Sequence, residues 1–516
     1  MASKRYNIVL MMTDQQPRQS LGCYGNPHNP TPHLDELAAS GVRFDNFYIA
    51  GFPCGPSRGS LFSGRYPHSH GVVQNDVLFR PEVPSLGNIL SPQGYDMAYV
   101  GKWHLGGQAY RHVEGAEPYE GAWYLERTPS EEGFKFVKVK DGGGEDEPQH
   151  GFEARWVGGW RHYRQYLREV GLGEAVDAYP NMGAHHIWPS GGDEGHCYSQ
   201  VPEEHHVEAF LARQAIDFIQ QRRPDDPPFG LVLSFYGPHL PVAPPRPWDE
   251  KFALDEITLP DNHWDHMENK AYEVRYAGPS YKLDEWSEQQ FKDYVRRYWG
   301  FCAYIDEQVG RVLAALSQTG LDENTIVIFT TDHGDMVAAH GMVWKWDHCG
   351  YEELLHIPLI MRVPGLTCPG SAISALTSNI DILPTLLELA EVDQRPGIQG
   401  RSMLPLLSGE QNSFRQHVFC DSSDMNITTY DGRWKYVLNW NPRDIDELYD
   451  LGSDPGEMNN LANEPGFGQI VEEMQQRIFK WLDDTGHPYA SVIRRAARQP
   501  VSVKDYPQAK DSTVGT

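Results

Sequence analysis

One of the seven cysteines lies in a short segment whose neighbours suit a reactive group. Cys54 is followed by Gly55 and Pro56, and Arg58 comes four residues after the cysteine. Glycine and proline define a tight backbone path, and the segment from Ser57 onward predicts the first turn of a helix. Unpaired N–H groups at a helix start favour an anion, and an arginine four residues on would reach the same group. The segment predicts a nucleophilic, anion-binding site, with a buried structural cysteine as the ordinary alternative.

An apolar run near the N-terminus ends in polar side chains that could hold a metal ion. Residues 8–12 are all apolar and predict a buried parallel strand. Ligands bind at the carboxyl ends of such strands in open α/β sheets. Asp14 is therefore a candidate metal ligand, and Gln15 offers a neutral oxygen beside it. A role for Asp14 in capping a turn or helix fits this segment equally well.

Two later strands also end in residues that could do chemistry. The strand predicted over 96–100 precedes Lys102 and His104, whose spacing of two would place both side chains on one side of an extended segment. An ammonium beside a titratable imidazole suits an oxyanion that is bound and then released. The strand predicted over 229–236 precedes His239, in the position expected of a general acid.

A third strand, predicted over 325–331, leads into Asp332 and His333, and Lys345 lies further along the chain. Asp332 and His333, together with Asp14 and Gln15 after the first strand, predict a divalent cation site made mainly of oxygen ligands. A cation there would hold a substrate oxyanion and favour the ionised nucleophile. Hard oxygen ligands favour Ca²⁺ or Mg²⁺, and the single imidazole makes Mn²⁺ reasonable.

Composition excludes several classes of protein. The 516 residues are 40% hydrophobic, which is typical of a folded globular chain with a large core. The formal net charge of -27 argues against nucleic acid or an anionic membrane surface as the main partner. The seven cysteines are scattered and lack paired spacing, so a disulfide scaffold or a zinc ribbon is not expected.

The N-terminal apolar run is too short for a secretion signal, and no stretch of about 18 apolar residues occurs elsewhere. A soluble, cytoplasmic protein is therefore expected, unless a secretion signal has been replaced. The oligomeric state is left open, although a long insertion such as the one described next often makes contacts between subunits.

The order of elements predicts an α/β fold. Strands alternate with helices up to about residue 400, which implies a large, mostly parallel sheet covered by helices on both faces. Beyond that point, short strands joined by turns and a helix over 470–482 predict a smaller antiparallel sheet. We therefore expect a catalytic domain over 1–400 and a C-terminal α+β subdomain with a tail over 401–516. Residues 106–205 form a glycine- and aromatic-rich insertion, either a pocket for a sugar or aryl group or a surface segment packed by its own aromatic side chains.

Taken together, these motifs resemble those of the type I sulfatases, the formylglycine-dependent enzymes of the alkaline phosphatase superfamily. The resemblance runs from about residue 7 to about residue 488. It rests on CGPSR at 54–58, GKWHLG at 101–106, GPH at 237–239, DHGD at 332–335 and LYD at 448–450 followed by Asn460 and Leu461. It implies an alkaline-phosphatase-like fold and hydrolysis of a sulfate monoester, in which S–O cleavage releases inorganic sulfate and an alcohol.

The resemblance also implies roles around the nucleophile. Cys54 would be oxidised to formylglycine by a maturation enzyme, and the hydrated aldehyde would attack sulfur and be a ligand of the cation. Arg58 and Lys102 would steady the aldehyde hydrate. His104 would take a proton from its remaining hydroxyl group, so that sulfate is expelled and the aldehyde returns.

Other residues would bind the substrate. By the same resemblance, Lys345 and His239 would bind sulfate and protonate the leaving alcohol, with Lys102 assisting, and Asn75 would contact the oxyanion. One divalent cation is implied, with Ca²⁺ first and Mn²⁺ or Mg²⁺ as alternatives.

Two positions depart from the usual sulfatase pattern. Gln15 replaces the second of two aspartates, and His333 replaces an asparagine. Both replacements resemble phosphonate monoester hydrolases of the same superfamily, whereas Lys102 and His104 are sulfatase-like. A sulfatase is therefore the first hypothesis, and a phosphonate monoester or phosphate diester hydrolase is the second. A non-enzymatic carbohydrate-binding protein is the third. Aryl, steroid, choline and sugar sulfates all remain open as substrates, and the insertion favours sugars.

Overall fold

A computed structural model describes most of the chain. The described residues are 5–26, 28, 31–80, 82–106, 109–111, 123–125, 156–157, 160–174, 199, 201–280, 282–346, 349–441, 444–499 and 501.

Strands are numbered in chain order as β1 (Asn7–Asp14), β2 (Val42–Phe44), β3 (Phe47–Tyr48), β4 (Gly51–Phe52), β5 (Asp96–Gly101), β6 (Ala109–Arg111), β7 (Trp123–Leu125), β8 (Trp156–Val157), β9 (Phe229–Pro238), β10 (Thr325–Thr331), β11 (Leu359–Arg362), β12 (Ser371–Ile373), β13 (Thr377–Ser378), β14 (Val418–Ser422), β15 (Asn426–Tyr430), β16 (Trp434–Asn439) and β17 (Glu447–Asp450).

Helices are numbered in the same way as α1 (Pro32–Ser40), α2 (Cys54–Ser63), α3 (Pro67–His70), α4 (Leu86–Leu90), α5 (Trp160–Glu169), α6 (Val207–Gln220), α7 (Tyr272–Ser280), α8 (Glu288–Gln318), α9 (Glu352–Leu355), α10 (Ile382–Leu389), α11 (Leu404–Leu407), α12 (Gly468–Thr485) and α13 (Ala490–Ala497).

The central sheet has the strand order β12-β2-β11-β10-β1-β9-β5-β8 among the described residues. The five strands from β10 to β8 run parallel, whereas β11 is antiparallel to its two neighbours. Strands β1, β9 and β10 are apolar and almost wholly buried, as expected of parallel strands covered on both faces. The predicted α/β class, with a large and mostly parallel sheet, is confirmed.

Two apolar cores lie on the two faces of this sheet. One core combines Val9 and Met11 of β1 with the long helix α8 and with α6. The other combines Leu10 and Met12 with residues of α2, α10 and the segment around α9. Alternate side chains of β1 thus pack into the two cores, so the strand that ends in Asp14 is fixed on both faces.

A second sheet has the order β17-β16-β15-β14-β4. Its strands are antiparallel except for β4, which pairs in parallel with β14. Helix α12 packs on it through Met474, Ile478 and Leu482. The predicted antiparallel sheet with a helix is confirmed, but the sequence did not reveal that β4, just before Cys54, joins it. The division of the chain at residue 400 stays a prediction.

Local predictions were less accurate than the fold. Residues 42–49, whose alternating pattern is typical of one strand, instead form the two short strands β2 and β3. In the insertion, Tyr163 of α5 is buried and its ring packs on Phe210 of α6, so this residue packs against the body of the protein. Most of the insertion lies outside the described residues. None of the described helices is long and apolar enough to cross a membrane.

Candidate active site

The register of the central sheet brings the strand ends together. Thr13 of β1 lies opposite Thr331 of β10, so Asp14 and Asp332 follow on adjacent strands. Asp14 also lies opposite Pro238 at the end of β9, one residue before His239. Three segments predicted to carry chemistry thus meet at one edge, because the carboxyl ends of parallel strands converge there.

Glycine at the end of β5 allows the fourth segment to approach. Gly101 has a φ of 105°, and a Cβ at this position would lie 1.8 Å from the carbonyl oxygen of Ser234 on β9. Only glycine fits such an approach. Lys102 follows and donates its backbone N–H to the same carbonyl at 2.9 Å.

The nucleophile candidate lies at the first residue of a helix. Helix α2 begins at Cys54, three residues before the predicted start at Ser57. The side chain of Asn75 accepts the backbone N–H of Gly55 at 2.9 Å, so it occupies one of the donors left free at the helix start. This contact gives Asn75 a supporting place beside Cys54, and its contact with an oxyanion stays a prediction.

The sulfur of Cys54 is buried among charged and titratable groups. Lys345 Nζ donates to Cys54 Sγ at 2.7 Å, and His333 Nε2 lies 3.0 Å from the same atom. Asp14 Oδ1 is more distant, at 3.9 Å. Burial raises the pKa of the Cys54 thiol, but the charges of Lys345, His333 and Lys102 outweigh it, and a hydrogen bond with His104 acts in the same direction. The pKa is therefore well below its usual value, and the position stabilises an anion.

Arg58 does not direct its guanidinium at Cys54, contrary to the sequence-based expectation. Its Nε donates to Asp332 Oδ2 at 2.8 Å and its Nη2 to Asp14 Oδ2 at 3.2 Å. Its Nη1 donates to the carbonyl of Lys102 at 2.8 Å. Arg58 is wholly buried, so it acts as a fixed bridge that orients both carboxylates. The ammonium of Lys102 forms a further ion pair with Asp14.

Four predicted ligands form one cluster. Potential ligand atoms of Asp14, Cys54, Asp332 and His333 all lie within 4.8 Å of one another, and all four residues are buried. His333 Nδ1 lies 2.8 Å from the carbonyl oxygen of Gly334, which can only accept. In the neutral form of the ring, the hydrogen is therefore on Nδ1 and the Nε2 lone pair faces the cluster. This is the tautomer that binds a metal ion.

Gln15, which was also predicted as a ligand, is held beside this cluster by its neighbours. Its backbone N–H donates to Asp332 Oδ1 at 3.0 Å, and its side-chain Nε2 donates to Asp335 Oδ2 at 2.5 Å. Its Oε1 is buried and accepts no hydrogen bond from any described residue. A buried amide oxygen without a donor is costly and fits a ligand for a hard cation.

The electrostatics of the two aspartates also fit a cation. Burial and the charge of Asp14 raise the pKa of Asp332, although Arg58 and His333 act in the opposite direction. Burial and Cys54 raise the pKa of Asp14, but Lys102 and two other basic groups bring it far below its usual value. Asp332 is thus left with an unfavourable negative charge that a divalent cation would offset.

The remaining predicted residues lie around the same sulfur. Burial, followed by the charge of Lys345, lowers the pKa of His239 to about 4, and a hydrogen bond with Cys54 acts in the opposite direction. His104 has a φ of 56°. The segment is therefore not regularly extended as predicted, yet the imidazole interacts with Cys54.

Sequence reasoning gave no role to two buried acids behind the site. Asp335 accepts from Gln15, and Glu208 of α6 accepts the backbone N–H groups of Tyr236 and Gly237 at the end of β9. The DHGD motif contained Asp335, and its position three residues after Asp332 was the available signal. No local pattern indicated Glu208.

A second group of potential ligands, His68, Asp421 and His487, lies apart from this site. Tyr489 donates its backbone N–H to His487 Nδ1 at 3.2 Å, so the ring hydrogen is on Nε2, which lies 3.3 Å from Asp421 Oδ2. His68 Nδ1 lies at the same distance from that oxygen. His487 therefore acts as a hydrogen-bond donor to Asp421. Through these contacts the group connects α3, β14 and the segment after α12.

Comparisons with known proteins agree with this fold. The structure resembles the crystal structure of a phosphonate monoester hydrolase from Agrobacterium radiobacter, with a TM-score of 0.75, 23% identity, and coverage of 93% of this chain and 96% of the other. The two chains thus share one fold, and the predicted alkaline-phosphatase-like α/β fold is confirmed.

Sequence comparison identifies the family. Residues 6–392 match the family described as Sulfatase, and residues 340–484 match the one described as N-sulphoglucosamine sulphohydrolase, C-terminal. The chain is 29% identical to the uncharacterized sulfatase YidJ of Escherichia coli (strain K12), over 95% of this chain and 89% of that protein. It is 26% identical to an N-acetylglucosamine-6-O-sulfatase of Bacteroides thetaiotaomicron, over 92% and 86% respectively. The protein belongs to the sulfatase family.

Proposed function

We propose that this protein hydrolyses a sulfate monoester through a formylglycine derived from Cys54 and one bound divalent cation. One observation carries the proposal: Cys54 Sγ, at the start of α2, lies 3.0 Å from His333 and 2.7 Å from Lys345. An atom at this position therefore contacts both a cationic lysine and a member of the candidate metal cluster. Membership of the sulfatase family supports the reaction and argues against a non-enzymatic carbohydrate-binding role.

Maturation of Cys54 changes the attacking atom. An enzyme of the formylglycine-generating kind would replace the thiol by an aldehyde, and hydration would put a hydroxyl oxygen where Sγ now lies. The groups that lower the pKa of the thiol would favour ionisation of this hydroxyl for the same electrostatic reason.

Asp14, Gln15, Asp332 and His333 are the side chains that would hold the cation, together with the matured Cys54. A cation there would polarise a sulfate oxygen and favour the ionised nucleophile. Ca²⁺ is the first candidate because the donors are mainly oxygen, with Mn²⁺ or Mg²⁺ as alternatives.

The other residues have separate tasks. Arg58 orients the two aspartates through its Nε and Nη2 contacts, and Lys102 balances the charge of Asp14. Lys345 binds the sulfate group beside Cys54. His239 protonates the leaving alcohol, and His104 accepts a proton from the second hydroxyl of the matured residue, so that sulfate departs and the aldehyde is restored.

We propose a small-molecule or saccharide sulfate ester as the substrate. The named activity of the Bacteroides relative, which removes a 6-O-sulfate from N-acetylglucosamine, supports a saccharide. The aromatic-rich composition of residues 106–205 is also compatible with a sugar.

Hydrolysis of a phosphonate monoester or phosphate diester is the second candidate. The residues that suggest it, Gln15 and His333, both lie at the cation cluster, where they would replace ionised or amide ligands and alter the charge of the site. Lys102 and His104, which suggest a sulfatase, also lie at this site, where Lys102 pairs with Asp14 and His104 forms a hydrogen bond with Cys54. These two residues favour the first candidate.

Paired assays separate the two candidates. Matured protein would be given 4-nitrophenyl sulfate and a 4-nitrophenyl phosphonate ester in the presence of each cation, with Cys54→Ala as the background control. We expect the larger kcat/KM with the sulfate. A larger value with the phosphonate ester would favour the second candidate, and no hydrolysis of either ester above that of Cys54→Ala would refute both.

A further inference from the structure

The side-chain amide of Gln15 has two possible orientations, which differ in whether Nε2 or Oε1 meets Asp335. An amide carries a donor on one side and an acceptor on the other. If Gln15 is a ligand, Oε1 must face the cluster and Nε2 must face away. Nothing in the glutamine itself selects this orientation, so a neighbouring group must do so.

Asp335 is the neighbour that selects it. Its Oδ2 accepts Gln15 Nε2 at 2.5 Å, and a carboxylate oxygen cannot donate to the amide oxygen instead. The opposite orientation of the amide would bring two acceptor oxygens together in a buried place. The Oε1 of Gln15 then stays on the side where no described residue donates to it.

Asp335 is itself held rigidly. Its Oδ1 accepts the backbone N–H groups of Val337 at 2.8 Å and Trp344 at 3.1 Å. The hydroxyl of Tyr294 lies 3.2 Å from Oδ2, and the residue is fully buried. The carboxylate therefore has a fixed orientation, with one oxygen engaged by the backbone and the other presented to Gln15.

The backbone of Gln15 is fixed by the same surroundings. Its φ is 66°, a region that non-glycine residues enter at a cost. Its N–H donates to Asp332, and its carbonyl accepts the hydroxyl of Tyr298. These contacts fix the main chain of Gln15, so the side-chain amide could still rotate. The hydrogen bond with Asp335 prevents this rotation.

We infer that Asp335 is a positioning residue that presents the amide oxygen of Gln15 to the catalytic cation. This inference rests on the proposed function, since it assumes that a cation binds in the cluster. The chemistry is that of an outer-shell partner, whose loss commonly lowers metal affinity by about 10- to 100-fold.

The isosteric substitution Asp335→Asn tests the inference. The side-chain oxygen of the asparagine would still accept hydrogen bonds from the backbone N–H groups of Val337 and Trp344. Its NH₂ group would therefore face Gln15. Two donors would then meet, and the glutamine amide would be expected to rotate and turn Nε2 toward the cation. We expect Mn²⁺ affinity, measured by calorimetry or by electron paramagnetic resonance, to fall by about 10- to 100-fold.

The double variant distinguishes positioning from a general structural role. Gln15→Glu alone would place two carboxylates against each other and weaken binding. Gln15→Glu combined with Asp335→Asn would restore a donor–acceptor pair and supply a charged ligand oxygen, so Mn²⁺ affinity should recover. A purely structural role predicts that the two losses add.

Tyr294→Phe is the matched control, because it removes a neighbouring donor to Asp335 but leaves the contact with Gln15. It should change Mn²⁺ affinity far less than Asp335→Asn does. Wild-type protein that binds no cation would refute the proposed function, whereas a cation bound equally well by wild type and Asp335→Asn would refute this inference alone.

Discussion

Lys345 Nζ lies 2.7 Å from the sulfur of Cys54, and both side chains are buried. The two residues are far apart in the sequence and meet because the segment after β10 returns across the start of α2. Burial lowers the pKa of the Lys345 ammonium, but the negative charges of Cys54, Asp14 and Asp332 outweigh it and raise the pKa above its usual value. A permanent cation is thus held against the nucleophile position.

Replacing Lys345 should raise the pKa of the unmatured Cys54 thiol. The pKa now lies well below its usual value, with Lys345 as the largest of the groups that lower it. Lys345→Met should therefore raise the pH at which the thiolate forms, measured by ultraviolet absorbance against a Cys54→Ser reference in protein made without the maturation enzyme. Lys480→Met, at an exposed ion pair with Asp484, is the control and should have no effect. Identical titrations for wild type and Lys345→Met would contradict the electrostatic account.

His239 should matter most when the leaving group is poor. Its pKa of about 4 leaves it neutral near pH 7 when no substrate is bound, and a bound sulfate anion would favour its protonated form. His239→Ala should lower kcat/KM for an alkyl sulfate by about 10²- to 10⁴-fold. The loss with 4-nitrophenyl sulfate should be much smaller, because nitrophenolate departs without a proton.

His104→Ala provides the comparison for His239, because a residue that restores the aldehyde should affect both substrates alike. Equal losses with the alkyl and nitrophenyl substrates in His239→Ala would show that His239 only binds sulfate.

Arg58 should be essential for stability as well as for the site. Arg58→Met leaves Asp14 and Asp332 without their bridging partner in a buried place, and breaking a buried ion pair costs about 3–5 kcal/mol. Urea unfolding would measure the loss. Arg43→Met is the control, since its pair with Asp45 is partly exposed and such pairs contribute about 0–1 kcal/mol. Added Ca²⁺ should recover part of the loss in Arg58→Met. A cost no larger than that of the control would contradict the role of Arg58.

Glu208 should make stability fall as the pH rises. Burial raises its pKa from 4.5 to about 8, although its backbone hydrogen bonds oppose the shift. Between these values the folded protein keeps a proton that the unfolded chain releases, so the free energy of unfolding decreases with increasing pH, by at most about 1.4 kcal/mol per pH unit. Glu208→Gln, which mimics the protonated acid, should remove this part of the slope between pH 5 and 8. Equal slopes in the two proteins would refute the assignment.

The sequence was informative where chemistry follows directly from a strand end. Asp14, His239 and Asp332 were all placed correctly, because long apolar runs identify parallel strands and the residues after them must meet at one edge. The CGPSR motif indicated the helix start, although the helix begins at Cys54 itself. The roles of these residues, the cytoplasmic location and the division at residue 400 stay predictions.

The sequence was uninformative where a contact joins distant segments without a local pattern. Arg58 was expected at the nucleophile, but its partners are two aspartates whose proximity depends on the register of β1 and β10. Asp335 supports the side-chain amide of Gln15, and Glu208 supports two backbone N–H groups at the end of β9. Both contacts depend on how distant segments pack, which no local pattern reveals. The same is true of Asp421, which contacts His68 and His487 from different parts of the chain.

Peptide mass spectrometry of the segment around Cys54 tests the central claim most directly. Protein produced with a formylglycine-generating enzyme should show loss of the cysteine sulfur and gain of an oxygen at residue 54, and sulfatase activity should rise in proportion to the converted fraction. Protein that turns over a sulfate ester equally well with the Cys54 thiol intact would contradict the account.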